Sequence, residues 1–447
     1  MTLYYEQSTS LFPKGTKQTI IVEPNHPFVI AEKNLDWENM FKEIESIIYR
    51  GVNRLIGKKL DLRAHCGIYL LQSSCNWTER QAEDMLRNHG PTRIFCGYTD
   101  GSTKSLDFTT IEKFRNQRLG KEGAELLNKY LLKHAKRDGF TNGKDVDMDT
   151  TVQEAGISYP TEINLMKKFQ ERTIKIIEKV VGAVGTKVEE IKELGTETKK
   201  KIKEYQFFAK TREEKQKLIK EVREISVSFL EELQRISGMK ENLERLKPAM
   251  RKELDHLLKI VPTLLDQIKS WLDTGQVAAG KIISLYKEAP HFIKKGKIGK
   301  SVEIGRKWII NQYVGGFLMV IAPKNPVIAD SDCVKISLQE SIRTFGEVPD
   351  SYGADRGTYS KKNIKRCKRY GVKKVGIQPK GQLKWEVDRE TARELYCRRA
   401  GIEPRIGIAG RLGLKKSRMK TDDGDIISGQ RAAIGFNLKK LMTCWSS

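Results

Sequence analysis

Val146-Asp147-Met148-Asp149-Thr150-Thr151-Val152 decides how this chain is read. Apolar and β-branched residues alternate with acidic ones at the period of a strand, so Asp145, Asp147 and Asp149 fall on one face. Carboxylates gathered on one strand face repel each other unless a cation or a proton offsets them. In a strongly basic chain, that pattern points to a metal site turned toward a polyanion.

The chain has 447 residues, too many for one ordinary core, so two or three domains are expected. Lys and Arg number 82 against 57 Asp and Glu, a net charge of +25. An excess of that size along the whole chain is the footprint of a nucleic-acid partner. The plainer alternatives are a basic soluble protein or one seated on anionic lipid, and no short amphipathic segment near a terminus favours lipid. The seven cysteines show no Cys-x-x-Cys spacing and are odd in number, which argues for reduced thiols in a cytoplasm. No two of the six histidines stand at helical ligand spacing, which argues against a zinc hydrolase. Met1–Ser10 lacks an apolar signal core, and the most apolar run, Tyr313–Ala322, is too short to span a bilayer. A soluble protein without membrane association is expected.

Residues 1–35, with Pro13, Pro24, Pro27 and a β-like run at Thr19–Val22, read as an arm. Trp37, Met40, Phe41, Ile44 and Ile47 or Ile48 give Asp36–Arg50 helical spacing. From Asp61 to Phe140 helix follows helix, with capping boxes at Thr78–Gln81 and Thr109–Glu112 and loops at Gly90-Pro91 and Gly97–Ser102. The second box opens a short helix bearing Lys113, Arg115, Asn116 and Arg118, which suits a major groove or, equally, a solvated face.

After Thr161 the composition shifts to Lys, Glu, Ile and Leu up to residue 290. Leu218, Val222, Ile225, Phe229, Leu233 and Ile236 step by three or four, as do Leu243, Leu246, Met250, Leu254, Leu257, Val261 and Leu264 beyond Gly238. This predicts a hairpin or small bundle of long amphipathic helices. Its charges are of both signs, so its outer face reads as solvated. Its apolar stripe needs a partner, for which a second copy of the chain is one candidate.

Strands are expected at 302–310, 317–321, 352–355 and 372–377, with Gly315-Gly316 as a turn. Helices are expected at 332–345, from Ser360, and at 390–399. With the excursion set aside, the order is β-β-β-α-β-α-β-α, the layout of an RNase H-like core. Acidic residues on the first strand, the fourth strand and the last helix then meet at one sheet edge. The expected fold is an α/β RNase H-like mixed-sheet core with an all-α N-terminal DNA-binding region and a long α-helical, coiled-coil-like insertion. The boundaries are 1–140 for the arm and helical domain, 141–161 for the first core strand, and 162–292 for the insertion. Residues 293–420 complete the core, and 421–447 form a closing helix and tail.

Four blocks resemble those of bacterial insertion-sequence DDE transposases. They are Asp149-Thr150-Thr151-Val152 with Ile157–Thr161, Lys297–Lys307, Ala354–Ser360, and Gly401–Gly407, followed by a basic stretch and the Gly435–Leu441 helix. Tyr396, Arg399 and Glu403 match the Tyr-x-x-Arg-x-x-x-Glu signature of related transposases. The resemblance implies that Asp149, Asp355 and Glu403 are catalytic and hold Mg²⁺, with Mn²⁺ able to substitute. It selects Asp149 over Asp145 and Asp147, which share its face, while Glu394 stays open as another third acid. Two departures stand out. Gly410 replaces the Lys expected seven residues after the Glu, and Gly401 and Pro404 oppose an unbroken helix.

Further implications are contacts to DNA from Arg356, Tyr396, Arg399, Arg405, Arg411 and Lys415, beside Lys113, Arg115 and Arg118. The partner is double-stranded DNA, both transposon ends and target, bound by a homodimer in a prokaryotic cytoplasm at the nucleoid. The activity implied is cutting of transposon ends and joining of the 3′-hydroxyls to target DNA. Two other readings share these features: a nuclease on the same core that does not join, and a non-catalytic DNA-binding or scaffolding protein built on the helical insertion.

Overall fold

A computed structural model of the chain describes residues 2–6, 17–50, 60–98, 105–157, 161–180, 188–278, 280–287, 291–294, 302–379, 385 and 387–447. Part of the 97–102 loop, Ser158–Pro160 and Lys297–Ser301 therefore lie outside the described residues. Two compact units form: Met1–Gly156 with His291–Ser447, and Ile157–Pro290. Among the described residues no helix is long and apolar enough to cross a membrane.

The first unit opens with an antiparallel hairpin, β1 (Thr2–Glu6) and β2 (Lys17–Ile21). Helices α1 (Pro27–Asn34), α2 (Trp37–Ile48), α3 (Leu62–Cys75), α4 (Glu79–Asn88) and α5 (Gly90–Phe95) follow. Then come α6 (Phe108–Lys113), a wider π-type turn over Phe114–Leu119, and α7 (Gly120–Arg137). Met40, Ile44 and Ile48 are buried, as the helical spacing predicts. Thr78 and Gln81 close the expected capping box. The second expected box is displaced. Asp107, two residues earlier, is the N-cap and accepts from the Thr109 and Thr110 amides, because a carboxylate is the stronger partner for a positive helix end.

β3 (Asp145–Glu154) begins the main sheet. The chain then enters the second unit: α8 (Glu162–Ile177), α9 (Val188–Phe207), α10 (Arg212–Ser237), α11 (Lys240–Arg245) and α12 (Pro248–Thr274). Val222, Phe229, Leu233, Leu254, Leu257, Val261 and Leu264 meet in one core with Phe169 and Ile176 of α8. The apolar stripe thus finds its partner within the chain.

Returning to the first unit, the chain forms β4 (His291–Lys294), β5 (Val302–Tyr313), β6 (Leu318–Ile321), α13 (Asp330–Phe345), β7 (Ser351–Ala354) and α14 (Lys361–Tyr370). It ends with β8 (Lys374–Ile377), α15 (Arg389–Ala400), α16 (Ile402–Ala409) and α17 (Asp422–Ser446). The β5–β6 turn needs Gly315 and Gly316, at φ of 77° and 82°. The six-stranded mixed sheet runs β4-β5-β3-β7-β8, with β6 also on β5. β3 is antiparallel to β5 and parallel to β7, and β7 is parallel to β8.

Period-two alternation sends Val146 and Met148 of β3, Ile309 and Tyr313 of β5 and Tyr352 of β7 into a core with Cys333, Val334 and Leu338 of α13. Trp308 and Ile310 face the other way and pack with Ile402 of α16 and Ala432 and Ala433 of α17. That second face also carries Asp145, Asp147 and Asp149. β6 is finished by side chains. The Leu318 amide donates to Asn437 Oδ1 at 2.9 Å and Asn437 Nδ2 donates to the Leu318 carbonyl at 2.7 Å, so α17 satisfies an otherwise open strand.

Candidate active site

The β3–β7 register pairs Asp145 with Ser351, Val146 with Tyr352, Asp147 with Gly353 and Met148 with Ala354. Asp149 and Asp355 are each one step beyond the last pair. Neighbouring parallel strands lie about 4.8 Å apart, so the two acids leave the carboxyl ends of adjacent strands side by side. Asp149 is partly buried and its Oδ1 accepts from the Thr150 amide at 2.7 Å. Asp355 is more open, and its carboxylate caps the turn over Arg356–Thr358 by accepting from the Gly357 amide.

Glu403 comes from the helices that cover the same sheet face. α15 ends at Ala400, Gly401 takes the junction, and α16 starts at Ile402, so the break expected at Gly401 is present. Pro404 sits in the first turn of α16, where no intrahelical amide bond is lost. Glu403 is exposed in that same turn. Burial pushes the Asp149 carboxyl up to about 6, and the negative charges of Asp355 and Glu403 push it the same way. The Thr150 amide and the positive charge of Arg399 oppose the rise. Glu394 faces elsewhere, 3.4 Å from Lys374.

Arg399, partly buried, lies 3.7 Å from Asp355 and acts as the counter-charge among the three acids. Among the described residues no group of three or more His, Cys, Asp or Glu side chains is arranged to hold a metal ion. A cleft beside the acids is lined by Asp355, Arg356, Gln378, Trp385, Tyr396 and Arg399. Tyr396 is exposed there, and Trp385 carries a buried indole N–H without a hydrogen-bond partner among the described residues.

The competing acids are accounted for by a residue not singled out in the sequence. Arg398 donates from Nε to Asp147 Oδ2 at 2.7 Å and from Nη2 to Asp147 Oδ1 at 3.0 Å. It also reaches Asp145 Oδ1 at 2.9 Å and Ser351 Oγ at 2.7 Å. Asp147 is 1% exposed, and a Cβ on Gly353 would stand 2.3 Å from its Oδ1, so only glycine fits opposite. Two acids on a buried face requiring a cation was the available signal, but which arginine supplied it was not legible locally.

The expected DNA-contacting cations divide. Lys113, Arg118, Arg356, Arg411 and Lys415 are exposed. Arg115 is not on the surface with them. It is 3% exposed, ion-paired with Glu79, and its Nε donates to Asn116 Oδ1 at 3.0 Å. Arg115 follows the buried Ile111 by four residues, so it falls on the inward face of the helix beside Phe114 and not in an outward row with Lys113 and Arg118. Arg405 also turns in, donating to Gln312 Oε1 at 2.6 Å and to the Gly401 carbonyl at 2.8 Å.

Residues 17–117 match the family model of a transposase domain (DUF772). No match is found among curated proteins or among solved structures. The transposase-domain segment runs from β2 through α6 and into the π-type turn, so it includes Lys113 and Arg115 and stops short of β3. Its helices share one core with Val146, Met148 and Tyr352 of the sheet that carries the acids.

Proposed function

We propose that the protein is a DDE-type DNA transposase with an RNase H-like core, cutting transposon ends and joining their 3′-hydroxyls to target DNA. The observation that carries this reading is the register. Asp149 and Asp355 follow the paired Met148 and Ala354 on adjacent parallel strands, in a chain whose residues 17–117 match a transposase domain. The strand order, with antiparallel β5 and β6 on one side of β3 and parallel β7 and β8 on the other, supports the core assignment.

Although they do not stand as a ready-made ligand group, Asp149, Asp355 and Glu403 are the residues that would hold Mg²⁺ or Mn²⁺. Three carboxylates without imidazole or thiol suit a hard, oxygen-seeking cation, and burial, followed by the charges of Asp355 and Glu403, raises the Asp149 carboxyl. When bound, a pair of such ions supplies Lewis-acid stabilisation of the attacking and leaving oxygens. Arg399 offsets the acids in the absence of metal and stands where a phosphate would arrive. Tyr396, Arg356 and the exposed Lys415 and Arg411 border the path of the DNA, contributing affinity that falls with salt. In the first step water attacks at the transposon end and the P–O3′ bond breaks, leaving a 3′-hydroxyl. That hydroxyl then forms a P–O bond in the target as the target's own P–O3′ bond breaks and its leaving oxygen takes the proton.

The test uses duplexes carrying the terminal repeats that flank the gene, with Mg²⁺ or Mn²⁺. Joined products are expected. Cut but unjoined products would assign a nuclease, and bound but intact DNA a scaffold. D149N and D355N are each expected to lower cleavage by at least about 10³-fold, with DNA affinity in EDTA unchanged or higher. Strand transfer by either variant would remove the site assignment.

A further inference from the structure

The most exposed large apolar side chains among the described residues are Phe207 and Phe208, at 73% and 72%. They are adjacent, at the end of α9 where the second unit turns into α10. Elsewhere in this unit Phe169 and Phe229 are buried, so the pair stands apart. Leaving a Phe in water forgoes the stabilisation that burial gives, and two together at a turn form a patch that calls for a partner.

The turn is held firmly. The Phe208 and Ala209 amides both donate to the Glu204 carbonyl at 2.9 Å, and Thr211 and Glu214 form a capping box that starts α10. The aromatics are therefore presented on an ordered scaffold, at little entropic cost to binding. Their surroundings are cationic. Residues 196–217 contain eight Lys and Arg against four Asp and Glu. Lys200 and Lys203 precede Phe207 by seven and four residues, on one helix face with it, and both are exposed, as are Lys199, Lys210 and Arg212. Glu214 is occupied by the cap.

We infer that this tip, Phe207-Phe208 with Lys200, Lys203, Lys210 and Arg212, is a second binding surface for duplex DNA. The cations take backbone phosphates and the aromatic pair wedges against the bases, since nucleic acid is the polyanion whose charged exterior encloses apolar stacking faces. The inference rests on the reading of the chain as a DNA enzyme, which the transposase-domain match at 17–117 supports and which favours DNA over an anionic membrane.

The full-length protein is titrated into a fluorescent duplex of about 40 base pairs across a salt series, beside anionic phosphatidylserine vesicles and sedimentation of the protein alone. F207S/F208S is expected to bind duplex at least fivefold more weakly with an unchanged salt slope. K200Q/K203Q is expected to reduce the slope by about one to two, at roughly 0.9 for each phosphate no longer neutralised. Circular dichroism should show unchanged helicity for both, the substituted side chains being exposed. Wild-type affinity in the tip variants, with or without loss of vesicle binding or self-association, overturns the inference, as does a wild-type chain that binds no duplex. If the wild type cuts and joins DNA while the tip variants match it, the tip inference alone falls. If nothing is cut and yet the tip variants bind more weakly, the transposase reading falls and DNA binding by the tip stands.

Discussion

Asp147 and Asp149 sit two residues apart on one strand face, and their surroundings differ. Arg398 neutralises Asp147 in a bidentate, buried pair, whereas Asp149 is left with two other acids and a more distant arginine. Removing one member of such a pair leaves a buried charge uncompensated. R398Q is therefore expected to destabilise the first unit by about 3–5 kcal/mol in urea melts near neutral pH. The loss should shrink in mild acid, because burial already raises the Asp147 carboxyl and a proton can replace the guanidinium. Asp149 carries the opposite signature. Its folded value of about 6 lies above the ordinary 3.8, so the folded state binds the proton more tightly and stability falls as pH rises between those values. In EDTA, D149N should match the wild type in acid and exceed it by about 1–2 kcal/mol well above pH 6, discounting for partial exposure. A wild type as stable as D149N in alkaline buffer would contradict this account of the electrostatics.

At the scale of elements, α17 has two tasks: it packs on α3 and α7, and its side-chain amides complete the edge of β6. Asn437 also donates to Asn128 of α7, which in turn donates to Gln430, itself bonded to the Val320 carbonyl. N437L keeps the volume and removes the network, leaving Leu318's amide and carbonyl buried without partners. A cost of about 2–4 kcal/mol in thermal or denaturant unfolding is expected, with little change in far-UV dichroism. The element order was legible because each strand and helix follows its own hydrophobic period, and Ser360, Gly238 and the Gly315-Gly316 turn stand where they were expected. The boundary at Asp107 and the π-type turn after Lys113 were not, since a stronger cap and a one-residue widening leave almost no trace in apolar spacing.

For the whole molecule, the sheet register shows how a 134-residue excursion is tolerated. Glu154, near the end of β3, and His291, the start of β4, flank the same residue, Gly305 of β5. The two ends of the excursion therefore leave the sheet about two strand spacings apart, roughly 10 Å. Replacing 157–290 with a Gly/Ser linker of about six residues, whose extended reach is roughly 20 Å, should leave the first unit folded. A single cooperative melt and retained near-UV dichroism would support this, and loss of cooperative unfolding would show that the first unit depends on the second. The converse independence follows from the second unit's own core, in which most of both long stripes is already buried.

By itself the sequence determined the alternation that makes β3 a strand, the order of elements around it, and the short list of acids able to share an edge. Those depend on local periods and on cap and turn chemistry, which neighbouring residues are enough to specify. Only the tertiary structure decided which acid on that strand is neutralised by a bidentate arginine, because the arginine that pairs with Asp147 lies 251 residues away. It also decided that Arg115 and Arg405 face inward, that the N-terminal helices share a core with the sheet, and that Phe207 and Phe208 stay in water. Burial is set by whichever surfaces meet when the chain closes, and a charge or a ring is assigned its role by that meeting rather than by its place in the sequence.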